Sequence, residues 1–137
     1  MLFVVRVVLV GLISLAGYLA YETASVVDVG GLSNESTVVV EVLNGCGRRG
    51  VGERATEILS DKGFDVMFVG NADDYGYEET LLVDRSGDPS KAVAIGEALG
   101  AGMVVHQVNA SSYVEVTVIL GKDFAASLAS RRGRDAF

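Results

Sequence analysis

Residues 1–21 constrain this chain more than any other feature: they carry one charge, Arg6, and are otherwise apolar or small. As a helix rising about 1.5 Å per residue, such a stretch spans roughly 30 Å, the thickness of a bilayer core. Arg6 lies close enough to the start for its stem to reach the headgroups. The next charges, Glu22 and Asp28, are acidic. The positive-inside rule therefore predicts a single-span anchor in the cytoplasmic (inner) membrane, N-terminus inside, with the rest of the chain outside. A cleaved signal peptide is one alternative, with Ser14-Leu15-Ala16 as the small residues before the cut. A buried core helix is another. Anchor and signal both send the remainder of the chain to the periplasm or cell exterior.

That remainder is small. A chain of 137 residues supports one modest domain. Residues 22–36 are small, polar and Gly-containing, and read as a linker. The formal net charge of −7 argues against a nucleic-acid partner, which would require a basic face. One Cys and one His allow neither an internal disulfide nor a structural zinc site of four N/S ligands. No metal and no cofactor are expected.

From Thr37 the pattern tightens. Val38–Leu43 is a β-branched run ending at Asn44-Gly45-Cys46-Gly47, a turn cluster. Val51, Ala55, Ile58 and Leu59 recur at helical spacing. Phe64–Val69 and Thr80–Val83 read as strands, joined by a polar acidic loop too short for a crossover helix. Asp88-Pro89 opens a second helix, which closes at Gly100. Met103–Val108 is a possible extra strand, and Val114–Leu120 alternates as a half-buried one. The order is β-α-β-β-α-β, with the second and third strands expected as an antiparallel pair. That predicts an α+β fold, a split β-α-β (ferredoxin-like) two-layer sandwich over residues 37–123. Residues 124–137, with three arginines and no sustained apolar pattern, read as a flexible tail.

Gly45-Cys46-Gly47-Arg48-Arg49-Gly50 spells G-x-G-x-x-G between a strand and a helix. A dinucleotide site requires parallel strands with a crevice at their carboxyl ends, and the expected order lacks that context. In order along the chain, LNGCGRRGVGERA, the strand end Val69-Gly70-Asn71-Ala72, the helix from Asp88-Pro89 to Leu99-Gly100, and Val116–Asp123 resemble the LytR C-terminal domain family. The resemblance covers roughly residues 37–123. It implies a module of bacterial cell-envelope biogenesis, often found behind a phosphotransferase domain that links polymers to peptidoglycan. No such catalytic segment stands ahead of Thr37, so transferase chemistry is not expected here. The family often has a small hydroxyl residue where this chain has Cys46.

Two readings of the turn stand side by side. Asn44, Gly45, Gly47 and Gly50 can serve the backbone alone, through an Asx-turn and positive φ. The same geometry can instead present amides at a helix N-terminus to an anion, with Arg48 and Arg49 adding donors. The candidate ligand site is therefore Asn44, Gly45, Gly47, Arg48, Arg49 and Gly50, and the candidate ligands are peptidoglycan or an anionic wall polymer. The competing class is an envelope protein partner bound through the sheet face that the helices leave open, at positions such as Tyr113 and Glu115. A Cys46–His106 enzyme, a nucleotide-binding enzyme, an intermolecular Cys46 disulfide and a cation on Asp73, Asp74, Glu78 and Glu79 are the remaining alternatives. A non-catalytic module is the expectation.

Overall fold

The computed structural model describes residues 37–134. The expected anchor over 1–21 and linker over 22–36 lie outside the described residues. Among the described residues, no helix is long and apolar enough to cross a membrane.

The elements are β1 (Val39–Asn44), α1 (Val51–Asp61), β2 (Asp65–Asn71), β3 (Leu81–Asp84), α2 (Pro89–Leu99), β4 (Met103–His106), β5 (Val116–Leu120) and α3 (Lys122–Arg134). They build one mixed five-stranded sheet in the order β2-β1-β5-β3-β4. The α+β class is met. The split β-α-β arrangement is not, because β1 and β2 are directly hydrogen-bonded parallel neighbours, as are β3 and β4. Each crossover helix thus closes its unit on adjacent strands, and β5 fills the seam, parallel to β1 and antiparallel to β3.

The expected antiparallel pairing of β2 with β3 is also overturned: two strands stand between them. Residues 72–80 form no hairpin. They run as a strap across the carboxyl ends of β1 and β5. Ala72 N donates to Asn44 O (2.9 Å) and Tyr77 N to Gly45 O (3.1 Å), after which Lys122 N donates back to Tyr77 O (3.0 Å). Crossing three strand spacings covers about 14 Å, within easy reach of so short a segment when extended.

The two βαβ units repeat each other locally. Asn44 ends β1, and its Oδ1 accepts from the amides of Cys46 and Gly47 (3.1 and 3.0 Å). Asp84 ends β3, and its Oδ1 accepts from the amides of Ser86 and Gly87 (3.0 and 3.1 Å). Gly47 and Gly87 both take positive φ, 72° and 86°, which such turns require and glycine adopts without strain. Asp84 is fully buried. Burial alone would raise its carboxyl, but hydrogen bonds from the Ser86 hydroxyl and the Gly87 and Ser86 amides prevail and hold it below the ordinary aspartate value.

Apolar side chains from alternate strand positions meet the helices. Val40, Val42, Leu82, Val116, Val118 and Leu120 pack against Ala55, Leu59, Ala92, Ile95 and Leu99. Asp88 accepts from Ser90 N (3.1 Å), the N-cap that the sequence predicts. Residues after 123 are not a flexible tail where described: α3 runs to Arg134, with Phe124 and Ala125 buried and Leu128 packed against the core. Those three positions form a short helical stripe that places α3 on the domain.

Candidate functional site

The six residues singled out in the sequence lie together at the carboxyl end of β1 and the start of α1. Their backbone roles differ from the anion-cradle expectation. Gly45 N donates to Leu120 O (2.9 Å), and the amides of Cys46 and Gly47 are taken by Asn44. Asn44 Nδ2 donates to Arg48 O (2.8 Å), closing the turn. Those three amides are thus spent on structure. Gly50 is the N-cap of α1, with φ 82°, and has no side chain to accept from the first helical amides. The helix N-terminus therefore has no side-chain cap, whereas α2 has Asp88.

Arg48, Arg49 and Gly50 form one wall of an open groove of about 710 Å³. The opposite wall is α3, through Ala125, Leu128, Arg131 and Arg132. Five arginines line it (Arg54 is the fifth) against two acids, Glu53 and Glu57. Arg54 is already paired with Glu57 at 2.6 Å. Arg48, Arg49 and Arg132 make no ion pair among the described residues. The groove is thus locally basic on a chain that is acidic overall. Arg131 and Arg132 are the residues sequence reasoning missed. Their signal is a basic run one turn beyond the Phe124, Ala125, Leu128 stripe.

The G-x-G-x-x-G turn does join two parallel neighbouring strands, β1 and β2, the context that the expected order lacked. An open pocket of about 590 Å³ lies at their carboxyl ends, lined by Asn44, Gly47, Gly50, Gly70, Asn71 and Tyr75, and the strap crowds the turn glycines beside it. A Cβ placed on Gly47 would lie 3.2 Å from the Tyr75 ring, and one on Gly45 only 2.7 Å from the Tyr77 ring. Cys46 and His106 do not meet. Cys46 follows the carboxyl end of β1, and His106 ends β4, which runs the opposite way. Cys46 Sγ lies 3.4 Å from Asn44 Oδ1, while His106 Nδ1 lies 3.5 Å from Asp84 Oδ2.

The acidic loop is the strap itself. Asp74 Oδ1 accepts from the Tyr75 and Gly76 amides, and Glu78 pairs with Lys122, raising that ammonium above its ordinary value. No group of metal-ligating side chains is found among the described residues. Tyr113 and Glu115, expected on the open sheet face, lie instead in the irregular segment before β5; Tyr113 is 94% exposed and Glu115 is engaged. Glu115 pairs with Lys91, which lowers its carboxyl, and accepts from Val39 N (3.0 Å).

Comparison with known proteins agrees with the sequence resemblance. No curated protein and no solved structure matches the chain. A family model described as LytR cell envelope-related transcriptional attenuator matches residues 37–124. Matched over more than half its length, the chain belongs to the LytR C-terminal domain family.

Proposed function

We propose that this chain is a membrane-anchored, extracytoplasmic, non-catalytic module that binds an anionic cell-wall polymer in the groove between the start of α1 and α3. The observation that carries the reading is the meeting of Arg48, Arg49 and Arg132 on one groove beside an uncapped helix N-terminus, with Arg131 on the same wall but its guanidinium against Gly100. Guanidinium groups offer paired donors that match carboxylate and phosphate oxygens, the anions of peptidoglycan stem peptides and wall polymers. A helix N-terminus adds amides and a positive dipole end. An open groove suits a linear polymer entering from either side. The cell-envelope association of the family supports the setting.

The test is sedimentation of the full chain, in detergent, with purified peptidoglycan sacculi. Wild type is expected in the pellet, and Arg48→Ala/Arg49→Ala is expected to bind about tenfold more weakly, roughly 1.4 kcal/mol. Wild-type binding is expected to weaken as salt rises, because these charges are exposed and screened. Retention that ignores both the substitution and the salt contradicts the groove as the site.

A second reading is favoured by one observation. Leu43, Phe68, Leu81 and Ile119 share the sheet face that the helices leave open, and none of them is buried. A protein partner would dock there. Substitutions in the arginine groove would then leave its binding unchanged.

A further inference from the structure

The pocket of about 590 Å³ lies at the carboxyl ends of β1 and β2, where parallel strands joined by a helix usually receive a ligand. Its size falls in the range of small-ligand pockets, about 300–1,000 Å³. Gly47, Gly50, Gly52 and Gly70 line it, so much of its wall is bare backbone. Tyr75 closes one side. The strap holds it there: Ala72 N and Tyr77 N donate to Asn44 O and Gly45 O on either side of it, and Asp74 Oδ1 accepts from its own amide. The ring rests on Gly47, where a Cβ would lie 3.2 Å from Cγ, and the residue is 49% exposed. An aromatic ring fixed in advance and half open to solvent offers apolar contact at little entropic cost. Asn71, exposed at the end of β2, adds an amide that both donates and accepts.

The pocket continues into the arginine groove: Arg49, Gly50 and Glu53 line both. Arg49 and the uncapped first turn of α1 suit an anion at that junction. Glu53 does not. It is exposed and makes no ion pair among the described residues, so a ligand charged along its whole length would meet a like charge there. A hydroxyl would instead donate to it. Among the described residues, no aromatic side chain lines the groove itself.

We infer that this pocket seats one sugar ring of the bound polymer, with its C–H face on Tyr75, its hydroxyls at Asn71 and Glu53, and its anionic group at Arg49. The ligand is thus an acidic glycan and not a bare polyanion. The inference rests on polymer binding in the groove. The acid is either a carboxylate of peptidoglycan or a phosphodiester of an attached polymer, and both accept from a guanidinium in the same way.

The test uses the full chain, in detergent, with two probes: purified sacculi, and inorganic polyphosphate, a polyanion without sugar. Tyr75→Ala is expected to bind sacculi about tenfold more weakly, the scale of one lost aromatic contact, whereas Tyr75→Phe binds as wild type does. Both variants are expected to bind polyphosphate as wild type does, and Arg48→Ala/Arg49→Ala to bind both probes more weakly. Sacculi stripped of phosphodiester-linked polymer by cold hydrofluoric acid identify the source of the acid. Undiminished binding that stays sensitive to Tyr75→Ala assigns the carboxylate, and lost binding assigns the phosphodiester. Tyr75→Ala that binds sacculi like wild type overturns the sugar site and leaves the groove standing. A loss on polyphosphate as large as that on sacculi overturns it too, because the substitution then acts through the strap. Sacculus binding that ignores the arginine substitutions, or no wild-type binding at all, overturns the groove and this inference with it.

Discussion

Gly121→Ala is expected to lower the stability of the domain by about 3 kcal/mol, near the upper end for overpacking. Gly121 follows β5 directly and is buried against the strap. A Cβ there would lie 2.4 Å from the Glu79 carbonyl carbon, 2.6 Å from its oxygen and 2.7 Å from Thr80 N. These are backbone atoms, so no side chain can swing aside. The strap is also pinned at this point. Gly121 N donates to Thr80 Oγ1 (3.1 Å), and Thr80 N and Oγ1 both donate to Asp123 Oδ1 (3.0 and 2.7 Å). A methyl group would push the entry of β3 away from β5 and break that set. Denaturant unfolding followed by circular dichroism reads the effect. Gly133→Ala is the control, since nothing lies within 4 Å of a Cβ there. Equal midpoints for the two variants would contradict the close approach.

Phe124→Ala is expected to cost about 3–5 kcal/mol, the range for a buried aromatic truncated to a methyl group. Phe124 is fully buried and among the largest buried side chains in the domain. It stands at the first turn of α3 and joins the core that Leu59, Ile95 and Leu120 share. Losing it removes apolar contact and leaves a cavity, and it also frees α3 from the sheet. The same unfolding measurement decides. A loss below about 1 kcal/mol, the scale of an ordinary surface substitution, would return residues after 123 to the status of a peripheral tail.

Much of the local structure is legible in the sequence because its causes are local. The β-branched run before Asn44, the alternation through Val116–Leu120, and the Asp88-Pro89 and Gly100 punctuation each arise from side-chain chemistry within a few residues. Sheet order is not legible, because it depends on which edge each crossover closes against. The short Val69–Thr80 connection suggests a hairpin. The strap instead binds the ends of β1 and β5, through backbone amides that leave no mark in residue identity. The shared turn of the two units is legible in principle: Asn44-x-x-Gly47 and Asp84-x-x-Gly87 are the same device, an acceptor three residues before a positive-φ glycine.

The candidate site is half legible. The sequence places Asn44 through Gly50 at a strand-to-helix turn, and the structure keeps them there. It also divides their labour, with Asn44, Gly45, Cys46 and Gly47 closing the turn while Arg48 and Arg49 face a groove. The second wall comes from α3. A three-residue apolar stripe is too short for periodicity to separate from chance, so Arg131 and Arg132 read as tail in the sequence.

A polymer held between α1 and α3 must touch that second wall. The decisive measurement is sacculus binding by the full chain carrying Arg132→Glu, beside wild type. Arg132 is exposed and makes no ion pair among the described residues, so its reversal leaves the fold intact. A groove that grips polymer between α1 and α3 predicts a loss of about tenfold or more, roughly 1.4 kcal/mol. Wild-type retention by Arg132→Glu would contradict it.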